Sequence, residues 1–468
     1  MTVSELFYGF PASVKGNGIV KGLSYNSKKV KPGDVFFALR GVHFDGHKFV
    51  GEAVNRGAVG VCVEKDVRGL DCVVICVEDT RRALSFASAR FFDYPSRDLC
   101  IVGVTGTNGK TTTAHLVQCI IGEKCGLLGT VGFSWGDNVV DFPNTTPESL
   151  ELHSMFRRMF DDGMKYAVME VSSHSLATSR VEDVDFAVGV FLGLGRDHLD
   201  FHKTMENYAR TKAHLFDLVK DDGCRLVNGE DEYARYFVRY SGVKTFGWND
   251  GVTIKGTLKD VSIEGITIDV EGEEFFSPLV GRFNADNLLA SVCIGVELGV
   301  PLELMKSRLA EFKGVAGRME CVWKGDFYVF VDYAHTPDAI ERVIRGVREL
   351  ISGRVIIVFG AGGERDKGKR PLMGKAASLA DVLIITSDNP RGEDPMAIVQ
   401  DILGGVEKSK SEVVLDRRKA IGRAIELACP GDVVLICGKG HEEYQEIGGE
   451  KIPFSDRDVA REVIGGRG

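Results

Sequence analysis

The segment with the clearest chemical signal spans residues 103–119 and reads GVTGTNGKTTTAHLVQC. Backbone N–H groups freed by Gly106 and Gly109 can wrap phosphate oxygens, and a helix that begins here points its positive end at them. Lys110 can neutralise the β- and γ-phosphates of a nucleotide, and Thr111 can bind Mg²⁺. A valine occupies the place of the first glycine in GxxxxGK[ST]. The segment predicts a nucleotide-phosphate loop but does not specify the reaction.

Two further segments carry polar side chains where a predicted strand ends. YAVMEV (166–171) contains Glu170 and is followed by SSH, and FAVGVFLGL (186–194) is followed by RDHLDFH at 196–202. Ligands of open α/β sheets collect at the carboxyl ends of the strands. Glu170 and His198 could therefore hold a second Mg²⁺ or position a γ-phosphate, and a hydrogen-bonded surface network is the alternative.

The elements that must position these residues follow an α/β pattern. Short apolar runs alternate with amphipathic stretches, which is typical of parallel sheets covered by helices. Helical patterns lie near 47–58 and 79–94, and the alternating stretch 251–278 predicts an antiparallel ribbon. The runs that predict strands are 34–39, 59–64, 72–78, 99–104, 166–171, 186–194, 328–332, 354–359, 382–386 and 432–437.

Composition restricts the class of protein. The 468 residues carry 58 basic and 67 acidic side chains, a net charge of −9, which argues against broad affinity for nucleic acid or anionic membranes. The first residues lack a basic region followed by an apolar core, and no apolar run is long enough to cross a bilayer. The 11 cysteines form no CxxC pair and lie mostly in apolar runs. We expect a cytoplasmic protein with reduced, buried thiols.

Taken together, the motifs of the chain resemble those of the Mur ligase family. In order they are TGTNGKTTT (105–113), NTTP (144–147), MEVSSH (169–174), RDHLDFH (196–202), YARTKAHLF (208–216), GRFNADNLLAS (281–291), GRME (317–320), DYAHTPDA (332–339), GGERDKGKRPLM (362–373), SDNPR (387–391) and GKGHEEYQ (438–445). The resemblance implies an α/β fold of three domains. They are a UDP-substrate-binding α/β domain at 1–97, an ATP-binding domain with a P-loop ATPase-like parallel sheet at 98–329, and a Rossmann-like, amino-acid-binding domain at 330–468.

The resemblance also implies an activity. ATP, as co-substrate, would phosphorylate the terminal carboxylate of a UDP-linked cell-wall precursor, and an incoming amine would displace the phosphate, with Mg²⁺ as cofactor. MEVSSH and DNPR imply that meso-diaminopimelate is added to UDP-N-acetylmuramoyl-L-alanyl-D-glutamate. We expect these small molecules as the only partners of a monomer, without nucleic acid or stable membrane association.

The resemblance carries over to residues one by one. The implied catalytic residues are Lys110, Lys212, Glu170 and His198, with Lys212 carbamylated and with Thr111, Glu170 and His198 as Mg²⁺ ligands. The implied ATP-binding residues are Thr105, Gly106, Thr107, Asn108, Gly109, Lys110, Thr111, Thr112, Asn284, Asn287, Arg318, Asp332 and His335. The implied UDP-substrate residues are Ser27, Asp45, Gly46, His47, Asn144, Thr145, Thr146, Ser172, Thr178 and Arg180. The implied amino-acid-binding residues are Arg365, Asp388, Asn389, Pro390, Arg391, Gly438 and Glu442.

Other interpretations remain open at this point. Within the family, an L-lysine-adding ligase is the nearest alternative, and Arg391 opposes it because a guanidinium matches the extra carboxylate of diaminopimelate. A folylpolyglutamate synthase-like ligase would leave the N-terminal block and DNPR without a purpose. GAGGER (360–365) fails the dinucleotide pattern GxGxxG at its third glycine, and the chain contains no NKxD motif of a GTP-binding switch.

Overall fold

A computed structural model describes residues 1–41, 44–65, 67, 69–140, 145–407 and 411–466. The chain divides into two compact units, Met1–Ile254 with Ala290–Val300 and Lys255–Leu289 with Pro301–Gly468. The expected domain boundaries near residues 97 and 329 stay predictions. Over the described ranges, no helix is both long enough and apolar enough to span a membrane.

The first unit begins with a mostly parallel sheet whose strand order is β1-β5-β4-β3-β2, with β1 antiparallel at the edge. β3 and β4 are buried along their whole length, as expected when helices cover both faces of a sheet. The strands are β1 (Ala12–Lys15), β2 (Gly22–Ser24), β3 (Asp34–Phe37), β4 (Gly60–Val63) and β5 (Val73–Val77). The helices are α1 (Val3–Leu6), α2 (Val50–Asn55) and α3 (Thr80–Phe91), with 3-10 turns at Ser27–Lys29, Gly46–Phe49 and Pro95–Arg97.

A second sheet of the same unit contains the phosphate loop. Its strands are β6 (Cys100–Thr105), β7 (Cys125–Gly129), β8 (Gly132–Trp135), β9 (Asn138–Val140), β10 (Tyr166–Glu170), β11 (Phe186–Phe191), β12 (Val219–Asn228) and β13 (Val243–Gly247), ordered β13-β12-β11-β6-β10-β7-β8-β9. Its helices are α4 (Lys110–Ile121), α5 (Ser149–Asp161), α6 (Ser173–Ala177), α7 (Leu199–His202) and α8 (Met205–Ala213), with 3-10 turns at His214–Leu218 and Ala234–Tyr236. β6 lies between β10 and β11, and Glu170 pairs with Val104 while Phe191 pairs with Thr105. The carboxyl ends of these three strands therefore meet at one edge of the sheet.

The second unit contains an antiparallel ribbon, a further sheet and a hairpin. The ribbon is β14 (Ile254–Ser262), β15 (Gly265–Val270) and β16 (Glu273–Ser277), followed by α9 (Phe283–Glu297), whose residues from Ala290 on belong to the first unit, and by α10 (Leu302–Ala310). The sheet is ordered β17-β18-β22-β19-β20-β21 and is parallel except for β17. Its strands are β17 (Glu320–Lys324), β18 (Tyr328–Asp332), β19 (Val355–Phe359), β20 (Val382–Ile385), β21 (Ser411–Val413) and β22 (Val433–Cys437), and the hairpin is β23 (Tyr444–Ile447) and β24 (Glu450–Pro453). The helices are α11 (Pro337–Arg348), α12 (Lys369–Ala377), α13 (Pro395–Leu403), α14 (Arg417–Leu427) and α15 (Asp456–Gly465).

The strands expected from apolar runs are confirmed, and so is the ribbon at 251–278. The helix expected at 47–58 is shorter, because it begins as a 3-10 turn and α2 ends at Asn55. Gly57 follows with φ of 91°, a left-handed conformation that ends a helix. The helix expected at 79–94 ends at Phe91, before two left-handed residues, Asp93 and Tyr94.

Candidate active site

The phosphate loop follows β6 and leads directly into α4. Gly106 and Gly109 have φ of 155° and 85°, which an L side chain rarely adopts. The Thr107 N–H donates to the Gly193 carbonyl at 2.9 Å, which fixes the loop to the segment after β11. Lys110 is the first residue of α4, and its Nζ donates to the carbonyls of Gly106 at 2.8 Å and Thr107 at 3.0 Å. The loop thus combines an ammonium group with the N–H groups of a helix start. The remaining expected ATP-binding residues of this segment are Thr105, Asn108, Thr111 and Thr112.

Lys212 lies in α8 and is 1% exposed. Its Nζ donates to the Gly106 carbonyl at 2.9 Å and to Thr105 Oγ1 at 3.4 Å. The Gly106 carbonyl therefore accepts from both Lys110 and Lys212. Burial, followed by the charge of Lys110, lowers the pKa of Lys212 well below its ordinary value. The structure places the amine expected to be carbamylated beside the phosphate loop, in an environment that favours its neutral form.

Glu170 ends β10 and is 1% exposed. Its Oε1 accepts from the Thr130 backbone N–H at 2.7 Å, and its Oε2 accepts from Thr130 Oγ1 at 3.1 Å. A Cβ on Gly129 would lie 2.4 Å from Glu170 Oε1, so this approach needs a glycine. Thr130 was missed from the sequence, where a Gly-Thr pair after an apolar run is too common to indicate a site. It fixes the direction of a carboxylate expected to bind metal.

Polar residues expected to bind the UDP-substrate surround Glu170. Thr146 Oγ1 donates to the Glu170 carbonyl at 2.9 Å and lies 3.4 Å from Ser172 Oγ. Thr145 Oγ1 lies 3.1 Å from Thr130 Oγ1, which itself bonds the Glu170 carboxylate. The structure therefore brings Thr145, Thr146 and Ser172 together at the end of β10.

Arg180 is the basic member of this group. Its Nη1 donates to the Thr146 carbonyl at 3.0 Å, and its Nε lies 3.1 Å from Glu148 Oε1. Thr178 Oγ1 donates to the His174 carbonyl of α6 at 2.6 Å, so this side chain stabilises the C-terminal end of that helix. Asn144 lies outside the described residues.

Three histidine rings lie together, His174 from the segment after β10 and His198 and His202 from the segment after β11. His198 has φ of 52°, and its ring centroid lies 4.9 Å from that of His174. His202 has a ring nitrogen 2.9 Å from Ser173 Oγ, and its ring stacks on Tyr208. Burial lowers the pKa of His202 to about 4, and burial also lowers the pKa of His174. Rings at 174 and 202 are therefore neutral near pH 7 and can accept hydrogen bonds.

The residues expected to meet the uridine end lie in turns after β2 and β3. The Ser27 hydroxyl donates to Glu52 Oε2 at 2.7 Å. Asp45 Oδ1 accepts from the His47 backbone N–H at 3.0 Å and lies 2.7 Å from His47 Nδ1. A Cβ on Gly46 would lie 2.7 Å from the backbone that follows β3. The side chains of Ser27, Asp45 and His47 are thus already bonded within the protein, and they stabilise the turns that hold this segment.

A cavity of about 840 Å³ opens at the carboxyl ends of β4 and β5 in the first unit. Its charged walls are paired, since Arg40 Nε lies 2.9 Å from Glu64 Oε2 and Arg81 Nη1 lies 3.1 Å from a Glu148 oxygen. Phe10 and Phe86 form an apolar wall, with ring centroids 5.0 Å apart. The residues that line the cavity lie between Gly9 and Phe86, a part of the chain that precedes the phosphate loop.

The ATP-binding residues expected in the second unit lie at the start of α9, at the end of β18 and in the loops before β17 and α11. Asn284 Nδ2 donates to a backbone carbonyl at 2.8 Å, and Asn287 Nδ2 donates to Asn284 Oδ1 at 2.9 Å. The buried Asp332 accepts from two backbone N–H groups at 2.7 and 2.8 Å. The Arg318 guanidinium lies 4.6 Å from the centroid of the Tyr333 ring, and His335 Nδ1 lies 2.8 Å from the Tyr333 carbonyl. Arg318 and His335 therefore share one neighbour, while the two asparagines stabilise the start of α9.

A charged network follows β20 and β22 in the second unit. Lys439 is 0% exposed, and its Nζ donates to Asn389 Oδ1 at 3.1 Å and to Glu442 Oε2 at 3.0 Å. Asn389 Nδ2 donates to the same Glu442 oxygen at 2.9 Å. Gly438 has φ of 116°, and a Cβ there would lie 2.5 Å from Asp388 Oδ2. The structure thus brings Asp388, Asn389, Gly438 and Glu442 together. Lys439 was missed although it belongs to the GKGHEEYQ motif.

Arg391 lies at the edge of this network. Its Nε donates to Glu446 Oε2 at 3.1 Å, and its Nη1 donates to the Gly363 carbonyl at 2.6 Å. A Cβ on Gly362 would lie 3.2 Å from Arg391 Nη1 and 3.8 Å from Arg365 Cγ. Arg391 and Arg365 therefore approach the same glycine, and Arg365 remains exposed.

The expected Mg²⁺ ligands fit the ion by donor type. Thr111 offers a hydroxyl in the first turn of α4, and Glu170 offers a carboxylate, the hard oxygen donors that Mg²⁺ prefers. In the described part of the chain, no three His, Cys, Asp or Glu side chains form a ready metal cluster. Mg²⁺ needs no such cluster, since it usually keeps water and substrate phosphates as ligands. The ligand set with His198 stays a prediction.

Three family models match the chain in succession. They are the Mur ligase family, catalytic domain, at residues 19–91, the Mur ligase middle domain at 104–295, and the Mur ligase, glutamate ligase domain, at 317–440. A curated relative from Aquifex aeolicus, named UDP-N-acetylmuramoyl-L-alanyl-D-glutamate–2,6-diaminopimelate ligase, is 44% identical over 458 residues. That match covers 96% of this chain and 94% of the relative.

Solved structures agree with these matches. A structure of a UDP-N-acetylmuramoyl-L-alanyl-D-glutamate–2,6-diaminopimelate ligase superposes with a TM-score of 0.70 at 33% identity, covering 96% of this chain and 95% of that one. The MurF ligase of Thermotoga maritima, solved in complex with ADP, has a TM-score of 0.64 at 22% identity, covering 95% and 97%. Because its sequence identity is only 22%, the match to the MurF ligase supports the fold alone. The α/β fold class expected from the sequence is confirmed.

Proposed function

The chain belongs to the Mur ligase family, and from that premise we propose that it joins meso-diaminopimelate to UDP-N-acetylmuramoyl-L-alanyl-D-glutamate at the expense of ATP. The terminal carboxylate of the dipeptide attacks the γ-phosphorus, ADP leaves, and an acyl phosphate forms. The amine of the diamino acid then attacks the acyl carbon, and inorganic phosphate leaves as the amide forms. Relatives named UDP-N-acetylmuramoyl-L-alanyl-D-glutamate–2,6-diaminopimelate ligase, which this chain matches over 94% or more of their length, support the choice of substrates.

Phosphoryl transfer needs positive charge and directed N–H groups more than a protein nucleophile. Lys110 and the first turn of α4 supply both at the phosphate loop. Thr111, Glu170 and His198 would hold Mg²⁺, which neutralises charge on the phosphates when bound. The two hydrogen bonds from Thr130 fix the orientation of the Glu170 carboxylate, so that it is already oriented to bind the metal ion.

The observation that carries the ligase chemistry is the sharing of the Gly106 carbonyl by Lys110 and the buried Lys212. A neutral amine adds CO₂ and releases a proton to become a carbamate, so an oxygen anion then takes the place of the amine beside the phosphates. Burial, followed by the charge of Lys110, favours the neutral amine of Lys212, and the carbamate that forms from it is attracted by the Lys110 ammonium. Lys212 is the proposed carbamylated residue.

The diamino acid is proposed to bind at the network around Asn389 and Glu442. Meso-diaminopimelate carries two carboxylates and two ammonium groups, and this region offers Arg391 and Arg365 together with Asp388 and Glu442. A guanidinium takes a carboxylate through two parallel hydrogen bonds. L-Lysine lacks the distal carboxylate and would leave a guanidinium without its partner.

The UDP-substrate is assigned to the first unit. Its diphosphate and acidic peptide would meet Thr145, Thr146, Ser172 and Arg180, which lie together at the end of β10. Its uridine end would meet the turns after β2 and β3. We retain 1–97, 98–329 and 330–468 as the functional domains of a cytoplasmic monomer whose partners are its small-molecule substrates.

Release of inorganic phosphate by the purified protein tests this function. Phosphate should appear only with ATP, Mg²⁺, the UDP-dipeptide and an amino acid together, and meso-diaminopimelate should exceed L-lysine and L-ornithine in kcat/KM. Loss of one partner of a buried charge pair costs about 2–5 kcal/mol, a preference of roughly 30-fold or more. Equal use of L-lysine would leave the ligase chemistry standing and contradict the choice of amino acid.

A further inference from the structure

Glu446 in β23 is bonded to the DNPR loop at three points. Its backbone N–H donates to Asn389 Oδ1 at 2.9 Å, and its carbonyl accepts from the Arg391 N–H at 3.0 Å. Its side-chain Oε2 accepts from Arg391 Nε at 3.1 Å. One residue of the β23–β24 hairpin therefore holds both the amide of Asn389 and the guanidinium of Arg391.

The backbone of Arg391 needs this support. Its φ is 52°, in the left-handed region that L side chains other than Asn and Asp seldom adopt. Besides the bond to Glu446, the Gly448 N–H donates to the Arg391 carbonyl at 2.8 Å. The hairpin thus brackets Arg391 on both sides, and the strained conformation persists because its surroundings determine it.

The side chain of Arg391 is held while part of it stays available. Glu446 occupies Nε and the Gly363 carbonyl occupies one hydrogen of Nη1, while within the described residues Nη2 donates to no protein atom. The Nη1–Nη2 end of the guanidinium therefore keeps N–H groups that can take a carboxylate. Arg391 and Glu446 are 19% and 28% exposed, so water competes only partly with their pairing.

We propose that Glu446 is a positioning residue that sets the selectivity for the diamino acid by holding Arg391 ready for the distal carboxylate. The inference rests on the proposed function and extends it to a residue outside DNPR. L-Lysine has no distal carboxylate, so its use does not depend on the direction of Arg391. Loss of the Glu446 side chain therefore weakens the binding of meso-diaminopimelate and leaves the use of L-lysine unchanged. A merely structural role would affect both amino acids.

The test compares Glu446→Ala and Glu446→Gln with the wild-type enzyme, using phosphate release at saturating ATP and UDP-dipeptide. Glu446→Ala raises the KM for meso-diaminopimelate about 10-fold or more, as expected for loss of a charged hydrogen-bond partner. Its kcat stays within about 3-fold, and kcat/KM for L-lysine and the KM for ATP stay within about 2-fold. Glu446→Gln keeps an oxygen acceptor and loses only about 3-fold in selectivity.

The matched control is Glu450→Ala, which removes a carboxylate from β24 of the same hairpin. Glu450 is exposed, and its backbone pairs with Ile447 rather than with the DNPR loop. This variant keeps wild-type selectivity. If Glu446→Ala fails to fold, the selectivity of Glu446→Gln decides in its place, and an unchanged ratio overturns the proposal.

The experiment distinguishes a failure of the role proposed for Glu446 from a failure of the proposed ligase function. An unchanged KM for meso-diaminopimelate in Glu446→Ala, or equal losses with both amino acids, overturns the role of Glu446 alone. Wild-type protein that releases no phosphate with meso-diaminopimelate refutes the proposed function and the inference with it.

Discussion

Burial of the Lys212 amine determines what it can react with. Its nitrogen donates to oxygen atoms at the end of β6 and in the phosphate loop, and its lowered pKa favours the neutral, nucleophilic amine. The same burial makes the neutral amine easier to accommodate than an ammonium ion, since an unpaired buried charge is strongly disfavoured.

Lys212→Ala should lower kcat by about 100- to 1,000-fold, the usual effect of losing one charged group that acts on the reacting phosphates. Added acetate should restore part of the activity, because it supplies the missing carboxylate oxygen. The control is Lys220→Ala on β12, outside the loop and its contacts. Carbon-13 NMR with labelled bicarbonate should show a carbamate signal in wild type that the Lys212 variant lacks. An active enzyme without that signal would contradict carbamylation.

Residues that act through a neighbour were harder to predict than residues within a motif. Lys110 and Arg391 could be proposed from the sequence because their local segments carry the signal. Thr130 and Glu446 were not, since they lie 40 and 55 positions from Glu170 and Arg391, the partners they hold. Only the fold brings such residues together, and neither a Thr in the turn after β7 nor a Glu in the short strand β23 has a distinctive local pattern.

Strands with long apolar runs were predictable at the level of the element, and polar edge strands were not. β19 and β22 are buried along their length and read as continuous Val and Ile runs. β12 includes the polar stretch Lys-Asp-Asp-Gly, and β24 is exposed throughout. Such strands form because neighbours offer backbone partners, which the sequence of the strand itself does not reveal.

The starts of α14 and α15 are joined by an ion pair that is entirely buried. Arg417 and Asp456 are 0% exposed, with Nη2 and Oδ2 2.6 Å apart, and Arg417 also donates to the Cys437 carbonyl at 3.0 Å. Replacing both partners together can be neutral, whereas removing one leaves an uncompensated charge. The stability of the second unit should therefore depend strongly on keeping both partners of this ion pair.

Asp456→Ala should lower the free energy of unfolding of this unit by about 3–5 kcal/mol, because it leaves the buried Arg417 guanidinium without its carboxylate partner. The same helices provide the control, since Arg418 and Glu462 form an exposed pair at 2.6 Å. Arg418→Ala should change the free energy of unfolding by less than about 1 kcal/mol. Urea unfolding followed by circular dichroism measures both. Equal effects of the two variants would show that burial does not govern this pair.

Stability of the whole molecule should depend on pH through His153. This side chain of α5 is 0% exposed, and among the described residues neither ring nitrogen has a hydrogen-bond partner. Burial lowers the pKa of His153 to about 3 from an ordinary value of 6.5. The unfolded chain therefore binds the proton first, so the stability is complete well above pH 6.5 and is lost progressively as the pH falls from 6.5 towards 3.

His153→Leu should flatten the pH dependence of unfolding between pH 6.5 and 5. His153 alone contributes a slope that rises from about 0.7 kcal/mol per pH unit at pH 6.5 to about 1.4 near pH 5. At pH 7.5 the variant should be at least as stable as wild type, because two buried nitrogens without partners are removed. Urea titrations at several pH values measure the slope. The same slope in both proteins would exclude His153 as its source.

The central claim is that ATP activates the D-glutamate carboxylate as an acyl phosphate before the diamino acid attacks it. The most direct measurement uses UDP-N-acetylmuramoyl-L-alanyl-D-glutamate with ¹⁸O in that carboxylate, followed by mass spectrometry of the released phosphate. The carboxylate oxygen that attacks phosphorus must leave with the phosphate when the amine displaces it. We predict one ¹⁸O atom in each phosphate, ADP as the nucleotide product and a new amide to meso-diaminopimelate. Phosphate without ¹⁸O, or AMP with pyrophosphate, would contradict the mechanism.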